Sequence, residues 1–143
     1  MDDPRTVAAR WQDAYSAHDE EAIRGVLADD ARLVGPNGVF SGAPTIAGYM
    51  MAWSDAFPDS RYAPQHVTVD GNTVVMESTF TGTQTGTFTD PGGDIPASNR
   101  PVEARSAHAI VVDGDRVTEV RMYFDVFGFL TQLGVLPAAP STG

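Results

Sequence analysis

The sequence predicts an α+β fold. Helical periodicity runs through the N-terminal part of the chain and stops at Pro58, and from Arg61 onward β-branched runs are punctuated by two Asp-Gly pairs. Helices first and a largely antiparallel sheet afterwards is the pattern of segregated α+β layers. At 143 residues, the chain has the length of one domain with a substantial core.

Asp3-Pro4 starts the first helix, with Asp as N-cap and Pro at the first helical position. Val7, Trp11, Ala14, Tyr15 and His18 then recur at helical spacing through residue 18. Asp19 caps a second, shorter helix with Ile23, Val26 and Leu27 as its apolar stripe. A short strand pair, residues 32–34 and 38–40, joins through Gly35-Pro36-Asn37-Gly38. The third helix spans residues 44–57, with Ile46, Tyr49, Met50, Trp53 and Phe57 as its stripe, and Pro58 stops it.

Asp70-Gly71 links strands near residues 62–69 and 73–83, and Asp113-Gly114 links strands near 102–112 and 116–125. Residues 90–101, rich in Pro and Gly, read as a long irregular loop of the kind that forms rims and lids. Phe127, Leu130 and Leu133 mark a short C-terminal helix closed by Gly134 and Pro137, and residues 137–143 read as a flexible tail.

Composition narrows the function. The formal charge of −10 argues against nucleic acid or an anionic membrane as partner. No apolar run is long enough to span a bilayer. All nine basic residues are Arg, so no Lys amine is present for Schiff-base chemistry. The absence of Cys removes disulfides and thiolate catalysis and fits a cytoplasmic location, and the N-terminus shows no features of a secretory leader. The three His lack metal-site spacing, so no metal is expected.

Arg116 to Asp125 alternates as a strand. Thr118, Val120, Met122 and Phe124 fall on one face, and Glu119, Arg121, Tyr123 and Asp125 on the other. The polar row is either a solvated outer face laced with an ion pair or the lining of a cavity with Asp125 at its rim. The expectation adopted is that it faces the concave side. The apolar row would then lie bare on the other face, which predicts a homo-oligomer, most simply a homodimer.

Several motifs occur in order: Phe57-Pro58-Asp59, Thr81-Gly82-Thr83-Gln84-Thr85-Gly86, Ile95-Pro96-Ala97, Tyr123-Phe124-Asp125 and Gln132-Leu133-Gly134. Together they resemble the SnoaL-like polyketide cyclase family over nearly the whole chain. The resemblance implies a nuclear-transport-factor-like (cystatin-like) α+β cone: three N-terminal helices packed in a curved, mostly antiparallel sheet, with a short C-terminal helix. It also implies a homo-oligomer and a cofactor-free, metal-free intramolecular aldol cyclisation of a hydrophobic polyketide, with Asp125 as general acid/base. Many members carry His where this chain has Gln84, and Gln hydrogen-bonds but does not shuttle protons near neutral pH.

Asp125 and His108 are the catalytic candidates. A carboxyl in a dry pocket can perform both proton transfers of an aldol reaction, while the bland role of Asp125 is to cap the C-terminal helix. His108 sits in a strand of small residues, Ala104 to Ile110, and is either a proton shuttle or a core histidine. His18 suits a helix end, and His66 a surface or rim. Tyr15 is a candidate donor to a substrate carbonyl, and Arg121 a partner for an enolate or carboxylate. Gln84, Tyr123, Phe40, Met50, Trp53 and Phe57 complete the expected substrate-binding set, the last three from the third helix as an apolar wall. Two other readings stay open: an isomerase or an epoxide hydrolase, the latter drawing on Arg121 with Asp125 as part of an Asp-Arg-Asp set, and a non-catalytic ligand carrier.

Overall fold

The helices form where their caps demand. In the computed structural model, which describes residues 2–90 and 92–136, α1 spans Pro4–Ser16 and the Asp3 carboxylate accepts from the Thr6 amide at 2.8 Å. The chain leaves α1 through His18, a non-glycine residue at φ +55°. That conformation ordinarily costs on the order of 1–2 kcal/mol. It is held because the imidazole hydrogen-bonds Ser54 Oγ at 2.5 Å and the Ser60 carbonyl at 2.7 Å.

Helix α2 (Glu20–Val26) gives way directly to β1 (Leu27–Gly35), so Leu27 belongs to a strand rather than to the helical stripe expected for it. Strand β2 (Gly38–Ser41) and α3 (Ala43–Ala56) follow. Beyond α3 come the hairpin β3 (Arg61–Asp70) and β4 (Thr73–Thr83), a small hairpin β5 (Phe88–Asp90) and β6 (Gly93–Ile95), the hairpin β7 (Pro101–Asp113) and β8 (Arg116–Phe124), and α4 (Val126–Gln132). The expected irregular loop therefore carries regular structure at its start. The tail expected from residue 137 onward lies outside the described residues.

The main sheet runs β2-β1-β8-β7-β4-β3, antiparallel throughout except for the parallel pair β1–β8. The fold class matches the sequence reading, and so does the order of elements apart from the added β5–β6 hairpin. Two glycines of the Thr-Gly-Thr-Gln-Thr-Gly turn exist for close approach to the end of α3. A Cβ on Gly86 would lie 2.4 Å from the Asp55 carbonyl oxygen, and one on Gly82 would lie 2.9 Å from Ser60 Cβ.

The orientation of β8 is opposite to expectation. Val120 and Met122 are buried against the helices, while Tyr123 is 60% exposed. The polar row is the convex outer face, and Arg121 is paired there with Glu119 at 2.5 Å. The energetic reason is direct: each fully buried large apolar side chain contributes roughly 1.5–3 kcal/mol, whereas turning Glu119 and Arg121 inward would desolvate two charges. A bulge completes the arrangement. Val111 faces Glu119 but Val112 faces Val117, so Thr118 is the extra residue and Val117 also turns inward. The apolar outer patch from which a dimer was expected does not exist, since Val120 and Met122 are core.

Candidate active site

The concave face is built by alternation. Inward positions of β4 are Val74, Met76, Ser78 and Phe80, and those of β7 are Val102, Ser106, His108, Ile110 and Val112, all buried. Helix α3 lays Trp53 across this face, and α4 brings Phe129 over its end. The rings of Trp53, Tyr62, Phe80, Phe124 and Phe129, with Met122, Ala104 and Ser106, enclose a cavity of about 20 Å³. That is room for one water-sized group.

A second, larger space adjoins it. A cleft of about 250 Å³ lies between the β5–β6 hairpin and α4, lined by Phe88, Ile95, Val126, Leu130 and others. Trp53, Phe124 and Phe129 belong to the walls of both. Trp53 is their hub, with ring centroids 4.6 Å from Phe88, 5.3 Å from Phe129, 5.7 Å from Phe80 and 5.8 Å from Phe124. Among the described residues the cavity lining carries no charged side chain, and the cleft lining carries only Asp94.

His108 lies one layer behind the cavity. Its cross-strand neighbours are Met76 and Met122, and Tyr62 stands edge-on to it at 5.2 Å. The imidazole is fully buried, and neither Nδ1 nor Nε2 has a hydrogen-bond partner. Burial lowers its pKa from 6.5 to about 4, so the ring is neutral at pH 7. Trp11 approaches edge-on at 5.4 Å, and the indole Nε1 of Trp11, like that of Trp53, is also buried without a partner. The small neighbours Ala107 and Ala109 do not make room for the ring, because alternation puts them on the opposite face. Burial, with the proximity of Tyr15 and Tyr49, holds the Tyr62 hydroxyl well above its ordinary pKa.

The other expected site residues are placed elsewhere. Asp125 is exposed and caps α4, its carboxylate accepting from the Gly128 amide at 2.9 Å. Arg121 and Tyr123 are on the convex face, so Arg121 and Asp125 share no cavity. Tyr15 is buried, but its hydroxyl is bonded to Ser60 Oγ at 2.7 Å, and burial raises its pKa. Phe40 stacks on Tyr49 at 3.9 Å, beside the sheet edge, and Met50 and Phe57 are core. Gln84 is fully buried and staples the loop: Nε2 donates to the carbonyls of Ile95 and Pro96, and Oε1 accepts from the Ser98 amide. Both of its donor hydrogens are thereby used.

Of the expected set, Trp53 alone lines the cavity and the cleft. Phe80, Ser106, Met122 and Phe124 line the cavity and are absent from the expected set. The signal was present in the period-two alternation of β4, β7 and β8, which sets the inward face once the direction of one strand is known. Among the described residues no group of three His, Asp or Glu is placed to hold a metal ion, and no helix is long and apolar enough to cross a membrane.

The family model of the SnoaL-like domain matches residues 8–120. No curated protein sequence matches the chain. Among solved structures, a "putative SnoaL-like polyketide cyclase" from Jannaschia sp. CCS1 superposes with a TM-score of 0.81 at 20% identity, covering 94% of this chain and 93% of that one. TsrD from Streptomyces laurentii gives 0.78 at 22% identity over 92% and 95%. TerC, co-crystallised with polyporic acid, gives 0.72 at 16% identity over 92% and 98%. At these identities the likeness is one of fold.

Proposed function

The chain belongs to the SnoaL-like domain family, and we propose that it binds a hydrophobic, ring-bearing small molecule in the aromatic cleft and acts on it by proton transfer. The family likeness favours intramolecular aldol cyclisation of a polyketide. The observation that carries this reading is the neutral, unpartnered imidazole of His108 directly behind an uncharged aromatic cavity. A buried polar group with no partner costs about 1–3 kcal/mol.

In this scheme a carbon acid between two carbonyls loses its proton to an imidazole nitrogen of His108. The enolate carbon attacks a second carbonyl of the same molecule, and the imidazolium returns the proton to the new alkoxide. Burial supports the second transfer, because an imidazolium that is disfavoured in the core is a strong acid. Ligand access has to part Met122 and Tyr62, and the unbranched thioether of Met122 is suited to that. A second reading, ligand binding without turnover, is favoured by the position of Asp125, whose carboxylate is committed to the α4 cap outside the cavity.

The test is binding of a panel of polycyclic ketones followed by turnover of His108→Gln, which keeps hydrogen bonding but removes the titratable proton. Binding by both proteins, with turnover reduced by about 10²-fold or more in the variant, supports proton transfer. Undiminished turnover removes His108 from the chemistry, and binding without turnover by the wild type leaves the second reading. A panel with no ligand at all defeats both.

A further inference from the structure

Among the described residues, Trp53 is the one with a polar side-chain atom that walls both spaces, and its indole N–H has no partner. Trp53 is 8% exposed, its Nε1 is buried and unbonded, and its ring forms part of both walls. The rings packed on it are mostly hydrocarbon: Phe57, Phe80, Phe88, Phe124 and Phe129 offer no acceptor oxygen. Tyr49 is the exception, but its hydroxyl takes the Asn37 Nδ2 donor at 3.1 Å and makes no bond to the indole nitrogen. An indole is a donor only, so the residue that walls both cleft and cavity at their junction carries a donor with nothing to receive it.

We infer that Trp53 Nε1–H is the donor that orients the ligand, by holding a carbonyl or quinone oxygen of a flat ring at that junction. This rests on the cleft being the ligand site. Trp53 is then a contact that discriminates by chemistry: a ring system carrying an acceptor oxygen satisfies the N–H, whereas the parent hydrocarbon fills the same space and leaves it unpaired. Aromatic stacking on Phe88 and Phe129 supplies the area common to both.

Fluorenone and fluorene test this, since they share one ring frame and differ in a single carbonyl. The wild type is expected to bind fluorenone about tenfold more tightly than fluorene, as one hydrogen bond to an otherwise unsatisfied donor implies. Trp53→Phe should lose that preference, binding the two compounds equally, whatever affinity both lose with the smaller ring. The chain has two Trp, so heteronuclear NMR of the wild type resolves two indole N–H signals without any substitution. The signal in contact with Phe88 and Phe129 should move downfield with fluorenone and not with fluorene. Equal binding of the two compounds by the wild type, a preference surviving in Trp53→Phe, or an unmoved indole signal overturns the donor role, and the cleft remains a binding site. If neither compound binds, the site itself is wrong and the donor role falls with it.

Discussion

The side-chain amide of Gln84 donates to the Ile95 carbonyl at 3.0 Å, which ties the end of β4 to the hairpin that forms one wall of the cleft. The same amide holds Pro96 and Ser98, so three backbone groups depend on one buried side chain. Gln84→Ala strands all three. A loss of about 2–4 kcal/mol is expected from several bonds broken at a buried site. Urea denaturation measures it, and amide exchange of Ser98 should accelerate well beyond that of the β4–β7 ladder.

His108 makes stability depend on pH. Its folded pKa lies near 4 against 6.5 for the free side chain, so below pH 6.5 the unfolded chain binds a proton that the folded one refuses. Its contribution is complete above 6.5 and declines as pH falls, until the folded state also protonates near 4. Between pH 7 and 4.5, wild type should lose roughly 2–3 kcal/mol more than His108→Leu. Guanidinium melts at the two pH values decide this, and equal losses in both proteins would contradict it.

Asp125 separates two roles by substitution. Asn is as good an N-cap as Asp, whereas Ala is poor, so Asp125→Asn should be as stable as wild type within a few tenths of a kcal/mol and Asp125→Ala weaker by about 1 kcal/mol. Ligand affinity should survive both changes. A fall in turnover of about 10²-fold or more in folded Asp125→Asn would return its carboxyl to the chemistry.

Gly86 and Gly48 should respond in opposite directions to the same change. A Cβ at Gly86 meets backbone oxygen at 2.4 Å, while one at Gly48, inside α3, meets nothing within 4 Å. Gly86→Ala should cost on the order of 1–3 kcal/mol or more through overpacking. Gly48→Ala should stabilise by about 0.5–1 kcal/mol by restricting the unfolded chain and favouring helix. Thermal melts of the two variants suffice.

Local chemistry was enough for the elements of this protein. Asp3-Pro4, Pro58, Asp70-Gly71 and Asp113-Gly114 set where helices and strands begin and turn, because caps, fixed φ and positive-φ glycines act within a few residues. The family followed from short motifs in order. Which face of β8 points inward did not follow: alternation groups Val120 with Met122 and Glu119 with Arg121 but is symmetric between the two faces, and only packing against the helices breaks that symmetry. The roles of Asp125 and Gln84 turned on the same distinction. Each has the chemistry for a site, and each was committed by its tertiary surroundings to a backbone amide or carbonyl instead. Conversely, the unpartnered nitrogens of His108 and Trp53 exist only in the folded chain, since an unfolded one leaves both bonded to water.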